Sequence, residues 1–165
     1  MAFSKPLAAL LLAVALAAMA MSAAGQYPPP SCKPNRKVTV QNLCGKDLYL
    51  GIEPLANSQL LYSPGHLLRH GTHVSYDVCS WTGRVKVQDA VVTEFHIGYD
   101  GGAWYQVSTD QSHMPIRVSI TPHGHPLKDH CPTAGCNSGG HCFEHSVPGG
   151  KCHGVDEIKI VYYNP

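Results

Sequence analysis

The sequence predicts an all-β protein whose strands form an antiparallel sandwich. Three observations support this prediction: apolar residues alternate with polar ones in short runs, turn residues separate the runs, and no stretch of 12 residues beyond position 25 carries a helical apolar stripe free of Gly and Pro. Only 14 % of the 165 residues are charged, so a disordered chain is excluded. The length favours one domain and excludes a large multidomain enzyme.

Eight runs show the period of two that is typical of half-buried strands. Val38 and Val40 alternate with polar neighbours in the first run, and Ile158, Ile160 and Tyr162 are the apolar set of the last. Turn residues such as those of 63–65 and 100–102 separate the runs. The predicted strands are 37–42, 47–52, 73–78, 83–88, 94–99, 103–108, 115–120 and 157–163.

The composition changes at Thr121. Residues 123–153 contain six His, four Cys and six Gly but few aliphatic side chains, so this stretch is unable to bury a core of its own. We therefore expect a disulfide-containing loop lobe at 121–156, near the C-terminus, after which the chain returns to the sheet.

Residues 1–25 have the three-part pattern of a secretory signal peptide. Lys5 precedes an apolar run at 7–21, and small residues at 22–25 supply a cleavage site. Because about 15 strongly apolar residues fall short of the roughly 20 that span a bilayer, we expect cleavage and no stable membrane insertion. Residues 26–36 are a Pro-rich extended leader, and the secreted, extracellular domain is predicted at 37–165.

Charge and cysteine content restrict the partners. Without Lys5, eleven basic residues oppose eleven acidic ones, so no nucleic acid or anionic membrane is expected to bind. Seven Cys in an oxidising compartment should pair, and the odd number leaves at least one unpaired or engaged in an intermolecular disulfide. Pro148-Gly149-Gly150 offers a turn that favours a bridge between Cys142 and Cys152.

The histidines of the lobe make metal binding an alternative, because three or four imidazoles on such loops are able to hold zinc or copper. No fixed pair on a strand or helix positions their rings, so we expect solvated surface histidines and no cofactor. Residues 141–145 match the His-x-x-Glu-His string of one metalloprotease class, but a Gly-rich loop lacks the required helix. The metal-ligand candidates are His123, His125, His130, His141 and His145.

Glycoside hydrolysis needs two carboxylates that face each other across a groove. Glu94 opens one predicted strand and Asp110 follows another, so both are expected at strand ends and are the catalytic candidates for a hydrolase. The alternative is that both are ordinary solvated rim residues. The sequence contains neither a Gly-x-Ser-x-Gly elbow nor a phosphate-binding Gly-rich loop followed by a helix.

Several strings, in order, resemble the thaumatin-like family of the pathogenesis-related group 5 type. They cover most of residues 37–163 and include the opening strand at 38–44, Trp81-Thr-Gly-Arg84, Thr93-Glu94-Phe95, 104–108, 114–118, Cys131-x4-Cys136 and 148–152. The resemblance implies a flattened antiparallel β-sandwich and a small member that lacks the disulfide-rich second lobe. Members are mostly defence-related, cell-wall-associated proteins, and some bind or weakly hydrolyse β-1,3-glucan through an acidic cleft.

The resemblance also carries that cleft onto this chain, with departures. Gln88 stands at the family's Arg position, Glu94 is kept, Gln106 replaces an Asp, and Asp110 fills the next Asp position. The last acidic position belongs to the missing lobe. The cleft is therefore expected to be weaker, although glutamine side chains still hydrogen-bond sugar hydroxyls.

The family's cysteine pattern implies a single bridge here, Cys142–Cys152. Cys44 loses its usual partner because tyrosines stand near the C-terminus, and Cys131 and Cys136 lack their family partners. The cysteines without a clear counterpart are Cys32 and Cys79.

We therefore expect a protein of the apoplast or cell wall that interacts with carbohydrate, β-glucan in particular, without catalysis, in defence or host–microbe contact. The alternatives are a weak endo-β-1,3-glucanase using Glu94 and Asp110, and a His-rich extracellular metal-binding protein. The expected groove residues are Gln88, Glu94, Gln106 and Asp110, with Tyr99, Trp104 and Tyr105 as stacking surfaces.

Overall fold

The computed structural model describes residues 33–87, 91–108, 116–137, 141–142 and 152–164, which contain strands and no helix. The all-β prediction is confirmed. The twelve strands are β1 (Arg36–Leu43), β2 (Leu48–Pro54), β3 (His66–Leu68), β4 (His73–Val78), β5 (Trp81–Val87), β6 (Val91–Ile97), β7 (Ala103–Ser108), β8 (Arg117–His123), β9 (Lys128–Asp129), β10 (Ala134–Cys136), β11 (Cys152–His153) and β12 (Glu157–Tyr163). No helix long and apolar enough to cross a membrane occurs in this part of the chain.

The strands form two sheets. One is five-stranded in the order β10-β8-β12-β1-β4, and the other is seven-stranded in the order β3-β2-β5-β6-β7-β11-β9. All pairings are antiparallel except that of β1 with β12, which is parallel with Val38 opposite Ile158 and Val40 opposite Ile160. The remainder of the chain forms the crossover that a parallel pair requires.

The inward side chains of both sheets share one hydrophobic core. In β5 and β6 the alternation is strict, so that Val85, Val87 and Phe95 are fully buried while the residues between them are half-exposed. Trp81 packs on Phe95 with ring centroids 4.8 Å apart. The same alternation leaves a complete row of polar side chains on the outer face of the seven-stranded sheet.

The strand before the turn at residues 98–102 differs in its bounds from the prediction. The predicted strand at 94–99 begins earlier, at Val91, and ends at Ile97. The chain turns after Ile97 because Gly98 N–H donates a 2.7 Å hydrogen bond to the Gly102 carbonyl, and Gly101 has a φ of 83° that favours glycine.

The C-terminal disulfides are Cys131–Cys152 and Cys136–Cys142, so the predicted Cys142–Cys152 bridge is wrong. Cys136 ends β10 and forms an antiparallel bridge with Cys142, which brings their Cα atoms to 3.8 Å. Cys152 lies in β11, which pairs with β7 and β9. The Cα atoms of Cys152 and Cys131 are 4.9 Å apart. Strand pairing therefore determines the partners, and Cys131 and Cys136, which lack their family partners, are both disulfide-bonded here.

The described residues contain two further cysteines, Cys79 and Cys44. Cys79 is also disulfide-bonded. Cys44 is the free cysteine of this part of the chain, and it is only 1 % exposed in the core. An intermolecular disulfide through Cys44 would require the core to open.

Candidate functional site

A row of polar side chains crosses four strands on the outer face of the seven-stranded sheet. Glu53 of β2 lies opposite Arg84 of β5, Arg84 lies opposite Glu94 of β6, and Glu94 lies opposite Gln106 of β7. Opposite residues of adjacent antiparallel strands have neighbouring side chains. We call Glu53, Arg84, Glu94 and Gln106 the polar row.

Ion pairs join three members of the polar row, Glu53, Arg84 and Glu94. Arg84 Nε donates a 2.6 Å hydrogen bond to Glu94 Oε2, and Arg84 Nη1 lies 3.3 Å from Glu53 Oε1. Lys86 Nζ completes the network at 2.8 Å from Glu53 Oε2. The hydrogen bond from Lys86 lowers the pKa of Glu53, and the hydrogen bond to Glu94 raises the pKa of Arg84. Two cations thus oppose two carboxylates, which leaves the face close to neutral.

The structure brings together part of the predicted groove. Glu94 and Gln106 are cross-strand neighbours on one face. Gln88 and Asp110 lie outside the described residues. Tyr99 is 61 % exposed in the turn between β6 and β7.

Tyr105 is not a stacking surface, contrary to the prediction. It is 2 % exposed, and its hydroxyl donates a hydrogen bond to the Pro132 carbonyl. Burial raises the pKa of Tyr105 to about 12. The physical reason is the period of two: in β7, Trp104 faces outward, so its neighbour faces the core.

Trp104 lies two residues from Gln106 along β7, on the same outward face as the polar row. It is half-buried and stacks on His96, with ring centroids 6.1 Å apart and planes inclined by 19°. His96 Nδ1 is 2.7 Å from the Thr82 hydroxyl, which orients the imidazole. A concavity of about 160 Å³ opens beside this pair and is lined by His96, Asp100, Gly102, Ala103, Trp104 and His153.

Sequence reasoning missed the cations of this face. The family resemblance places its Arg at Gln88, whereas Arg84 is the guanidinium that contacts Glu94. The sequence contains a pattern that predicts their outward position: Arg84 and Lys86 alternate with Val85 and Val87 and must therefore face away from the core. Which carboxylates they meet depends on strand register.

The described metal-ligand candidates are dispersed. His123, His125, His130 and His141 are all exposed, and His145 lies outside the described residues. Within the described part of the chain, no group of three His, Cys, Asp or Glu side chains is placed to hold a metal ion.

A second concavity, of about 330 Å³, lies on the outer face of the five-stranded sheet. Its lining residues are all polar and include no Trp, Tyr or Phe: Lys37, Thr39, Gln41, His73, Ser75, Glu157 and Lys159. Thr39 connects Ser75, 2.7 Å away, to the Glu157 carboxylate. Sequence reasoning did not identify this surface.

No protein-family model and no curated protein sequence matches the chain, so the thaumatin-like resemblance has no support from either comparison. Among solved structures, the chain is similar to the crystal structure of the protein elicitor MoHrip2 from Magnaporthe oryzae. The TM-score is 0.50 at 16 % sequence identity, and the similarity covers 76 % of this chain and 97 % of that chain. At this identity the comparison shows that the two proteins share a fold.

Proposed function

We propose that this is a secreted, thaumatin-like protein that binds a neutral cell-wall glucan on the outer face of the seven-stranded sheet, without catalysis, in defence or host–microbe contact. The observation that carries the proposal is the polar row with Trp104 beside it. Sugar hydroxyls pair well with carboxylate, guanidinium and amide groups, and an indole face accommodates the C–H face of a pyranose ring.

The charge balance favours a neutral ligand. Arg84 and Lys86 are each within 3.3 Å of a carboxylate oxygen, so neither cation is left to attract an anion. The disulfides Cys131–Cys152 and Cys136–Cys142 agree with an oxidising, extracellular compartment. The structural neighbour is described as a protein elicitor, which agrees with a role in contact between organisms.

Binding is favoured over hydrolysis by the surroundings of Glu94. A glucanase needs one carboxylic acid that donates a proton and a second carboxylate across the substrate. Glu94 Oε2 instead accepts a hydrogen bond from Arg84, and Glu53 is bound to the same guanidinium. Such carboxylates are suited to accepting hydrogen bonds from sugar hydroxyls.

A sedimentation assay with insoluble β-1,3-glucan tests the proposal. We expect Glu94→Gln and Gln106→Ala each to weaken binding about fivefold, because each removes or weakens a hydrogen bond. Lys159→Gln is the matched control, since Lys159 lies on the opposite sheet, and it should bind as the wild type does.

Three outcomes would overturn the proposal. Absence of wild-type binding, or equal binding by the wild type and the double variant Glu94→Gln, Gln106→Ala, would exclude the polar row as a glucan site. Release of reducing sugar by the wild type that Glu94→Gln abolishes would establish the glucanase alternative instead.

A further inference from the structure

The small concavity beside Trp104 lies where the ladder of β6 and β7 ends. The outward pair Glu94 and Gln106 is followed along the strands by the outward pair His96 and Trp104, and then by the turn that carries Asp100. On its other side, β11 pairs with β7 and brings in His153. The concavity is therefore bounded by a turn and a neighbouring strand, and we call it the His153 pocket.

The Asp100 carboxylate is held in position at the turn. Its Oδ1 accepts a 2.9 Å hydrogen bond from the Gly102 N–H group. This backbone hydrogen bond lowers the pKa of Asp100, so the side chain is an ionised acceptor at neutral pH. Gly101 in the same turn accepts a hydrogen bond from Val155 N–H, which connects the turn to the segment after β11.

Asp129 orients the His153 side chain. Its Nδ1 lies 2.8 Å from Asp129 Oδ2, which leaves Nε2 as the ring nitrogen available to a ligand. The imidazole is 47 % exposed. Cys152, the preceding residue, is held both by its pairing with Ala103 and by the disulfide to Cys131. The disulfide that sequence reasoning did not predict thus places His153 beside Trp104.

We infer that the His153 pocket binds the terminal pyranose ring of a neutral oligosaccharide, an inference that rests on the proposed glucan-binding function. Trp104 supplies the stacking face, Asp100 the acceptor for hydroxyl groups, and His153 Nε2 a further hydrogen bond. The next sugar residue along the chain lies over Glu94 and Gln106. Because the turn at Asp100 closes the strand ladder, a glucan that follows the strands ends in this pocket.

The lining residues argue for a neutral sugar. The lining of the His153 pocket contains no lysine or arginine, the side chains that bind an anionic group. Of the two carboxylates nearby, Asp129 is engaged by His153, and Asp100 uses Oδ1 for the Gly102 N–H group, which leaves Asp100 Oδ2 as the acceptor for a sugar hydroxyl. The volume of about 160 Å³ suits one ring and not an extended chain.

Calorimetry with linear β-1,3-glucan hexasaccharide and with an end-free cyclic β-glucan tests the inference. We expect the linear sugar to bind at least about fivefold more tightly than the cyclic one, and His153→Ala to remove this preference. His123→Ala, an exposed histidine on the other sheet, is the matched control and should retain it. Equal affinity for both sugars in the wild type would overturn the inference.

Asp129→Asn tests the positioning of His153. Asn accepts the left-handed backbone of residue 129, where φ is 67°, so the fold should persist while the anionic partner of the imidazole is lost. We expect a smaller loss of the linear preference than in His153→Ala, and a shifted imidazole NMR signal. An unchanged preference together with an unchanged signal would contradict the assigned role.

An NMR titration with free glucose separates this inference from the proposed function. Shifts of the Trp104 indole and His153 imidazole signals at millimolar glucose, lost in His153→Ala, support the pocket even if insoluble glucan does not bind. Absence of these shifts overturns the inference while leaving glucan binding by the polar row intact. Tighter binding of a glucosamine oligomer than of the matching glucose oligomer would overturn the choice of a neutral sugar.

Discussion

Arg84 and Glu94 are cross-strand neighbours joined by a 2.6 Å hydrogen bond between Nε and Oε2. The side chain of Arg84 is 37 % exposed and that of Glu94 is 19 % exposed, so water screens the pair only in part. The same guanidinium reaches Glu53, which makes Arg84 the centre of the polar row.

Arg84→Met should therefore affect binding more than stability. We expect the free energy of unfolding to change little, because partly exposed ion pairs contribute little to stability. Glucan binding should fall severalfold, because Glu94 loses the partner that orients it. Lys86→Met, which loses contact only with Glu53, is the control and should bind better than Arg84→Met. Urea denaturation and sedimentation measure the two effects, and wild-type binding by Arg84→Met would contradict the prediction.

Two buried tyrosines should respond differently to loss of the hydroxyl. Tyr105→Phe leaves the Pro132 carbonyl without its donor, and we expect it to cost about 1 to 2 kcal/mol. The Tyr162 hydroxyl is buried beside the Thr93 hydroxyl, which already donates to the Val85 carbonyl and makes no hydrogen bond of good geometry with Tyr162, so Tyr162→Phe should cost less than Tyr105→Phe. Chemical denaturation of both variants measures the difference. A larger loss for Tyr162→Phe would contradict this assignment.

The Cys44 thiol should be unreactive in the folded protein. Burial in the core shields the sulfur and raises the pKa of Cys44, so little thiolate is present at pH 8. We expect iodoacetamide to label Cys44 only after denaturation, as read by peptide mass spectrometry without reduction. Rapid labelling of Cys44 in the native state would show that this part of the core opens readily.

The two C-terminal disulfides should differ in their contribution to stability. Cys131–Cys152 closes a separation of 21 residues and Cys136–Cys142 a separation of 6. Chain entropy then predicts losses of about 3 and about 2 kcal/mol for the respective double alanine variants. Mapping of peptides under non-reducing conditions provides the direct check, and a peptide that links Cys142 to Cys152 would refute the observed pairing.

Asp100 should contribute to stability in a pH-dependent manner. Its pKa lies below the ordinary value of 3.8, so its contribution is present above that value and is lost as the pH falls through the lower, folded-state pKa. The stability difference between the wild type and Asp100→Asn should therefore shrink between pH 6 and strongly acidic solution. An NMR titration midpoint for Asp100 above 3.8 would contradict the prediction.

The eight main strands were predictable because each is long enough to show alternation. β3, β9, β10 and β11 were not, since strands of two or three residues display no period. Their existence depends on partners far away in sequence, as when Cys152 pairs with both Ala103 and Asp129. The choice of disulfide partners followed from this pairing.

Local sequence decided which side of each strand faces the core. The alternation that buries Val85 and Val87 also sends Arg84 and Lys86 outward, and the same rule distinguishes Trp104 from Tyr105. Tertiary structure alone decided which outward residues meet. Arg84 contacts Glu94, and His153 lies beside Trp104, because strand register and disulfide pairing join residues that are distant in the chain. Alternation is a property of adjacent residues, whereas register results from packing the whole core.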